Sequence, residues 1–226
     1  MEKSIERDLG LGLIFDLDHH PVDTEALIRW ARDNGWRGVG IINADRDDEQ
    51  ALKKTAQTYR LAWLAGKSAP LLPTDDLLSS ILAYRRENHN AIFTLRLQNG
   101  ALPEAAQKAI DEFSVWLHAY GHPFYEGAPT AIAQIKAPAW LMQNRRAAYQ
   151  LYVYVPQGYA TPLHVQGLKE KVMRAEWIDD RESLPFEQQE TDCTIQTGKD
   201  AKVSTPIRVM RLLLHRPEDD LKTTRF

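Results

Sequence analysis

The sequence predicts an α/β region followed by an all-β region, on three observations. Up to about Gly127, short apolar runs alternate with segments of helical periodicity. Beyond about Pro129 the helical period disappears and strand-like runs separated by turn signals take over. No run of about 18 apolar residues interrupts either region, so no membrane-spanning helix is expected. We therefore expect two domains, residues 1–128 and 129–226. The first is a parallel sheet with crossover helices and the second an antiparallel sandwich.

The elements follow in order. Residues 11–17 (LGLIFDL) are apolar almost throughout, the mark of a strand buried on both faces. Residues 24–34 (TEALIRWARDN) place Leu27, Ile28, Trp30 and Ala31 on one helical stripe, with Asp23 or Thr24 as cap and Gly35 to close. Residues 38–42 (GVGII) form a second strand, 47–59 a second helix and 61–64 a short third strand. After the turn-rich KSAPLLPTDD, residues 77–86 are helical and 91–97 (AIFTLRL) extended. A long amphipathic helix is expected over 103–120, with Pro103 in its first turn and Gly121 just past its end. Strands are then read at 140–142, 149–155, 162–166, 171–178, 192–196 and 207–215. Turn signals at 156–158, 179–180 and 198–200 separate several of them. The last ten residues, PEDDLKTTRF, are polar.

Composition narrows the function. With 28 Lys plus Arg against 31 Asp plus Glu there is no global basic field for nucleic acid. The single cysteine, Cys193, cannot form an internal disulfide and is read as a small buried apolar residue. The start of the chain lacks the basic, long-apolar pattern of a signal peptide, so a cytoplasmic protein is expected. Nothing in the residues calls for a cofactor or a metal.

The densest polar constellation is Asp16, Asp18, His19 and His20, at the carboxyl end of the first strand, where α/β sheets bind ligands. Extended alternation would put Asp16 and Asp18 on one side, suiting either a metal or an acid/base pair. A strand end running into helix-capping acids accounts for the same residues without chemistry. In the string 43–48 (NADRDD), Asp47 and Asp48 read as caps of the following helix, leaving Asp45 as the candidate. The six tryptophans are dispersed through periodic apolar segments, which fits packing better than a sugar platform.

The string FDLDHHPVDTE resembles the first motif of the haloacid dehalogenase superfamily. That likeness implies a phosphatase with Asp16 as nucleophile and Asp18 as acid/base. His19 stands where that family has glycine, and the β-rich second half lacks its acidic metal ligands.

A broader likeness runs through the middle and end. Asn99, Gly100, Leu102, Pro103 and Glu104, followed by Trp116, Leu117, Gly121, Phe124, Tyr125 and Gly127, resemble the last barrel strand, turn and helix of family 29 α-L-fucosidases. Trp30, Ala31, Asn34 and Gly35 fit an earlier segment of that family, and the β-rich region is similar to its C-terminal sandwich. The resemblance implies a glycoside hydrolase architecture with a carbohydrate ligand, to which His19, His20 and Trp63 would contribute contacts. It also implies a nucleophilic aspartate at the end of a "L-W-F-D-G" strand, where this chain reads Ala62-Trp63-Leu64-Ala65-Gly66. Ala65 at that position cannot form a glycosyl ester.

A complete eight-stranded barrel takes about 250 residues. The stretch ahead of Pro129 is about half that, so the expected first domain is a reduced, partial TIM-barrel-like sheet. The sequence thus favours a fucosidase-like protein without the nucleophile, acting in carbohydrate binding or as a structural partner. The alternatives are a hydrolase using Asp16 or Asp18 with Asp45, and the phosphatase. An exposed edge of the reduced sheet would call for a second copy or a protein partner to cover it.

Overall fold

The computed structural model describes residues 8–17, 19–66, 68–159, 162–197 and 205–216. The chain forms two compact units, Met1–His118 and Ala119–Phe226. No described helix is long and apolar enough to cross a membrane.

In the first unit the alternation read from the sequence becomes β1 (Leu11–Asp16), α1 (Thr24–Asp33), β2 (Gly38–Ile42), α2 (Arg46–Thr58), β3 (Ala62–Trp63), α3 (Leu77–Arg86) and β4 (Ala91–Arg96), and α4 (Glu104–Glu126) starts in the first unit and ends in the second. The four strands are parallel, in the order β3-β2-β1-β4, and form an open sheet. β1 is flanked on both sides, and all six of its residues are buried, which is why its sequence is an unbroken apolar run up to Asp16.

The first two helices start where a side chain satisfies orphan backbone N–H groups, whereas Asp76 ahead of α3 makes no such bond. Asp23 accepts from the amide of Ala26 at 2.9 Å ahead of α1. Asp45 accepts from Asp48 at 2.8 Å ahead of α2. On α3, the buried Arg85 donates to Asp8 Oδ1 at 2.9 Å and to the carbonyl of His89.

The two faces of the sheet are covered differently. Leu11, Leu13, Phe15, Val39, Phe93 and Leu95 occupy one face, where Phe93 meets Tyr84 of α3 edge-on at 5.6 Å. The other face carries Gly12, Ile14, Gly38, Gly40, Ile42, Ile92 and Thr94, and no helix supplies its cluster. Instead the chain leaving β3 folds back over it. Leu64 packs with Leu9 and Ile14, against Ile42, Ala62, Ala69 and Ile92.

The glycines make room for this. A Cβ on Gly12 would lie 2.8 Å from a Leu64 methyl, and one on Gly40 would lie 2.6 Å from the Leu64 carbonyl oxygen. The same stretch then pairs with the outer edge of β4. Thr94 N donates to Pro70 O at 2.7 Å, Leu72 N to Thr94 O at 2.9 Å, and the Thr94 hydroxyl to Ala69 O at 3.0 Å. Residues 70–72 thus pair with the middle of the outer edge of β4 around Thr94.

The helix expected to end at Gly121 runs on to Glu126. Tyr120 has non-helical dihedrals (φ −121°, ψ 18°), so α4 is two helical segments joined at a kink. Pro123 falls within the first turn after that break, where a missing N–H costs no hydrogen bond.

The second unit is built from two antiparallel sheets. One has the order β10 (Val172–Trp177), β13 (Ile207–Leu214), β8 (Gln150–Pro156), β7 (Trp140–Asn144) and β5 (Gly127–Pro129). The other has the order β11 (Phe186–Gln189), β12 (Asp192–Ile195), β9 (Leu163–Gln166) and β6 (Gln134–Ile135). Leu151, Val153, Trp177, Met210 and Leu212 from the first sheet share one core with Leu163, Val165, Cys193 and Ile195 from the second. Period-2 alternation is plain in β9, where Leu163 and Val165 are buried and His164 and Gln166 exposed. Cys193 is buried in that core, as read from the sequence. The short strands β5 and β6 have too few residues to show a period, and neither they nor β11 were anticipated.

A buried charge cluster sits on the first of these sheets. Glu176 is fully buried, and Arg181 Nη1 donates to its Oε1 at 2.8 Å while Arg211 Nη2 donates to the same oxygen. Arg174 Nη2 lies 2.6 Å from Oε2 as an ion pair without hydrogen-bond alignment. Burial alone would raise the carboxyl's pKa, but Arg211 and Arg181 outweigh it and hold the group below its ordinary range.

Candidate functional site

Parallel strands deliver their last residues to one edge, and in open α/β sheets that edge is the ligand-binding one. Here Asp16 ends β1, Arg96 ends β4 in register with it, and Asn43 follows Ile42, the Asp16 partner at the end of β2. β1 is also where the strand order reverses, since β2 and β3 extend one way and β4 lies on the other side.

Asp16 is the best-defined of the residues nominated from sequence. Its side chain is 3% exposed and both carboxylate oxygens are engaged. Asn43 Nδ2 donates to Oδ1 at 2.8 Å, and Arg96 Nε donates to Oδ2 at 3.0 Å. Asp18 lies outside the described residues. His19 is exposed, with φ 59°, and its amide donates to Asn43 O at 3.1 Å, so the β1–α1 loop is pinned to the end of β2. His20 is half-buried, and its amide closes a turn onto Leu17 O at 3.0 Å.

On the far side, Gln98 and Ala101 exchange backbone hydrogen bonds around Asn99 (φ 51°) and Gly100 (φ 77°), a tight turn that favours Asn-Gly. Gly100 is also needed for space, because a Cβ there would lie 2.7 Å from Pro21 O. The two loops flanking Asp16 therefore touch.

The other nominated residues do not join this group. Asp45 spends its side chain capping α2, a role the sequence reading gave to Asp47 and Asp48, which instead occupy the first helical turn. Trp63 is in register with Val39 and shares its face, opposite to the face that Asp16 ends. Ala65 is exposed just past β3.

Arg96 and Asn43 were missed. The signal for Arg96 was a cation closing an otherwise apolar strand, and that for Asn43 was a residue type that tolerates a positive φ (53°) at a strand end.

No family model and no curated protein matches the chain. Solved structures do. A Thermotoga maritima α-fucosidase structure in complex with fucose superposes with a TM-score of 0.69 over 91% of this chain and 96% of that one, at 8% identity. The fold is that of the α-fucosidases. α-L-Fucosidase isoenzyme 1 from Paenibacillus thiaminolyticus matches 91% of the chain with a TM-score of 0.54 at 13% identity. A Bacteroides thetaiotaomicron α-L-fucosidase of glycoside hydrolase family 29 matches 88%, again with a TM-score of 0.54 at 13% identity. The chain spans 58% and 42% of these two fucosidase chains. At such identities the likeness speaks for the fucosidase fold, and function has to be argued from the site.

Proposed function

We propose that this protein is a shortened relative of the α-L-fucosidases that binds carbohydrate without hydrolysing it. On this reading the four parallel strands are part of a (β/α) barrel and the two antiparallel sheets are the sandwich that follows it. The supporting observation is the state of Asp16, whose two oxygens are taken by Asn43 and Arg96. A retaining glycosidase needs two carboxyl groups about 5 Å apart, one free to attack carbon and one to move a proton. Asp45 is committed to a helix cap, and Ala65 has no carboxyl group.

What remains at the carboxyl edge is a set of hydrogen-bonding side chains beside a tight pair of loops. Such a set suits a hydroxyl-rich ligand. Fucose is the first probe because it is the sugar in the Thermotoga complex.

The test joins calorimetric or NMR titration with L-fucose to an assay of p-nitrophenol release from aryl α-L-fucoside. The expected result is saturable binding with no release above the buffer rate. Release that Asp16→Asn abolishes would overturn the non-catalytic reading in favour of an active glycoside hydrolase.

A further inference from the structure

Resting on that carbohydrate reading, we infer that Arg96 and Asn43 are the ligand-contacting pair and that Asp16 is the positioning residue between them, for a neutral sugar presenting two hydroxyl groups. Arg96 is 64% exposed, and its bond to Asp16 uses Nε. The guanidinium is thereby fixed at its inner edge, with both Nη groups left as outward donors. Asn43 is exposed and gives Nδ2 to the same carboxylate, which leaves its Oδ1 as an acceptor. One buried carboxylate thus orients a donor fork on one side and an acceptor on the other. A hydroxyl group both donates and accepts, so two hydroxyls of one ring match this pair.

The spacing fits as well. β2 and β4 flank β1, so their backbones stand about 10 Å apart. Both side chains lean inward onto Asp16. Because both hydrogen-bond the same carboxylate, one ligand can reach both.

Electrostatics argues against an anionic ligand. Asp16 neutralises Arg96, and Asp23 and Asp45 cap the helices that follow β1 and β2, so an anion finds little net attraction. Preorganisation by a buried carboxylate reduces the ordering cost that an exposed arginine would otherwise incur on binding.

The experiment titrates the full chain and its Arg96→Ala, Arg96→Lys, Asn43→Ala and Asp16→Asn variants with three probes. These are L-fucose, fucose analogues each lacking one ring hydroxyl, and glucuronate. Arg96→Ala should weaken fucose binding about tenfold or more, the usual effect of losing a hydrogen bond to a charged group. Arg96→Lys should weaken it comparably, because lysine keeps the charge but not the fork. Asn43→Ala and Asp16→Asn should each weaken it too.

The decisive readout is coupling. The analogue that binds poorly to the wild type should show no deficit against fucose in Arg96→Ala, a result that general loosening of the fold would not give. Fucose binding left unchanged in Arg96→Ala and Asn43→Ala would overturn the inference and leave the carbohydrate reading intact. The sugar would then lie elsewhere, for example in the groove of about 470 Å³ beside Ile132, Tyr149 and Arg216. Glucuronate bound more tightly than fucose would overturn the neutral-ligand assignment. No sugar bound by the wild type would remove the carbohydrate reading itself.

Discussion

Replacing Glu176 with glutamine keeps the shape of the side chain and removes the charge that three arginines face. Breaking a buried ion pair from one side typically costs about 3–5 kcal/mol, because a charge is left without compensation. Arg211 is the partner this applies to, with 20% of its side chain exposed. Arg174 and Arg181 are 49% and 61% exposed and can turn to water, so each adds at most the ~0–1 kcal/mol of a surface pair. The glutamine amide can still accept from one arginine, which places the expected loss near the lower end, about 3 kcal/mol. For a unit of roughly 100 residues, each kcal/mol lowers the melting midpoint by about 4–8 °C, so a drop of about 12–24 °C is expected at pH 7.

Acid should erase part of the difference. The folded-state pKa of Glu176 lies below its ordinary 4.5, so its ionised form stabilises the fold above that pH. The stabilisation is lost as the pH falls through the lowered value. Thermal unfolding of wild type and Glu176→Gln from pH 7 down to pH 3 measures both quantities. A loss under about 1 kcal/mol at pH 7, or midpoints that stay equally far apart at pH 3, would refute this account.

Gly40→Ala should destabilise the first unit by about 1–3 kcal/mol, since its Cβ would meet a backbone oxygen at 2.6 Å. Gly121→Ala, with nothing within 4 Å of its Cβ, should be neutral or slightly stabilising, and chemical denaturation reads both. Asp45→Ala should cost about 1 kcal/mol through the lost cap while leaving fucose affinity unchanged, which separates its role from that of Arg96. Burial pushes the Cys193 thiol up to about 11, so at pH 8 an aromatic disulfide reagent should label the native protein far more slowly than the urea-unfolded chain.

Much of the fold was legible because it rests on local patterns. The apolar run 11–17 declared a strand buried on both faces, and β1 is buried at every position. The stripe of Leu27, Ile28, Trp30 and Ala31 declared a helix face; Leu27, Ile28 and Ala31 are the buried residues of α1, and Trp30 is half-buried. The likeness to α-L-fucosidases came from the turn and helix around Asn99–Trp116, and that turn forms as a tight Asn-Gly turn against Pro21.

The second segment of α4 was not legible, since Gly121 read as a stop. Only a break at Tyr120 lets proline sit in a fresh first turn. Nor could Leu64 be seen as the cover of the sheet's second face. A single leucine after a two-residue strand has no periodicity, and its partners are glycines on two other strands.

The sequence by itself determined most of the longer strands and helices and many of the residues that turn inward, because each is settled by groups a few residues apart. Tertiary structure alone decided which polar residues meet. Asp16 was singled out from its neighbours in the chain, Asp18, His19 and His20. Its partners are instead Asn43, 27 positions away, and Arg96, 80 positions away. Parallel pairing requires crossovers of a dozen or more residues, so the groups that share the carboxyl edge of such a sheet are necessarily remote in sequence. Only the register of β1 against β2 and β4 turns a candidate nucleophile into a carboxylate held from both sides.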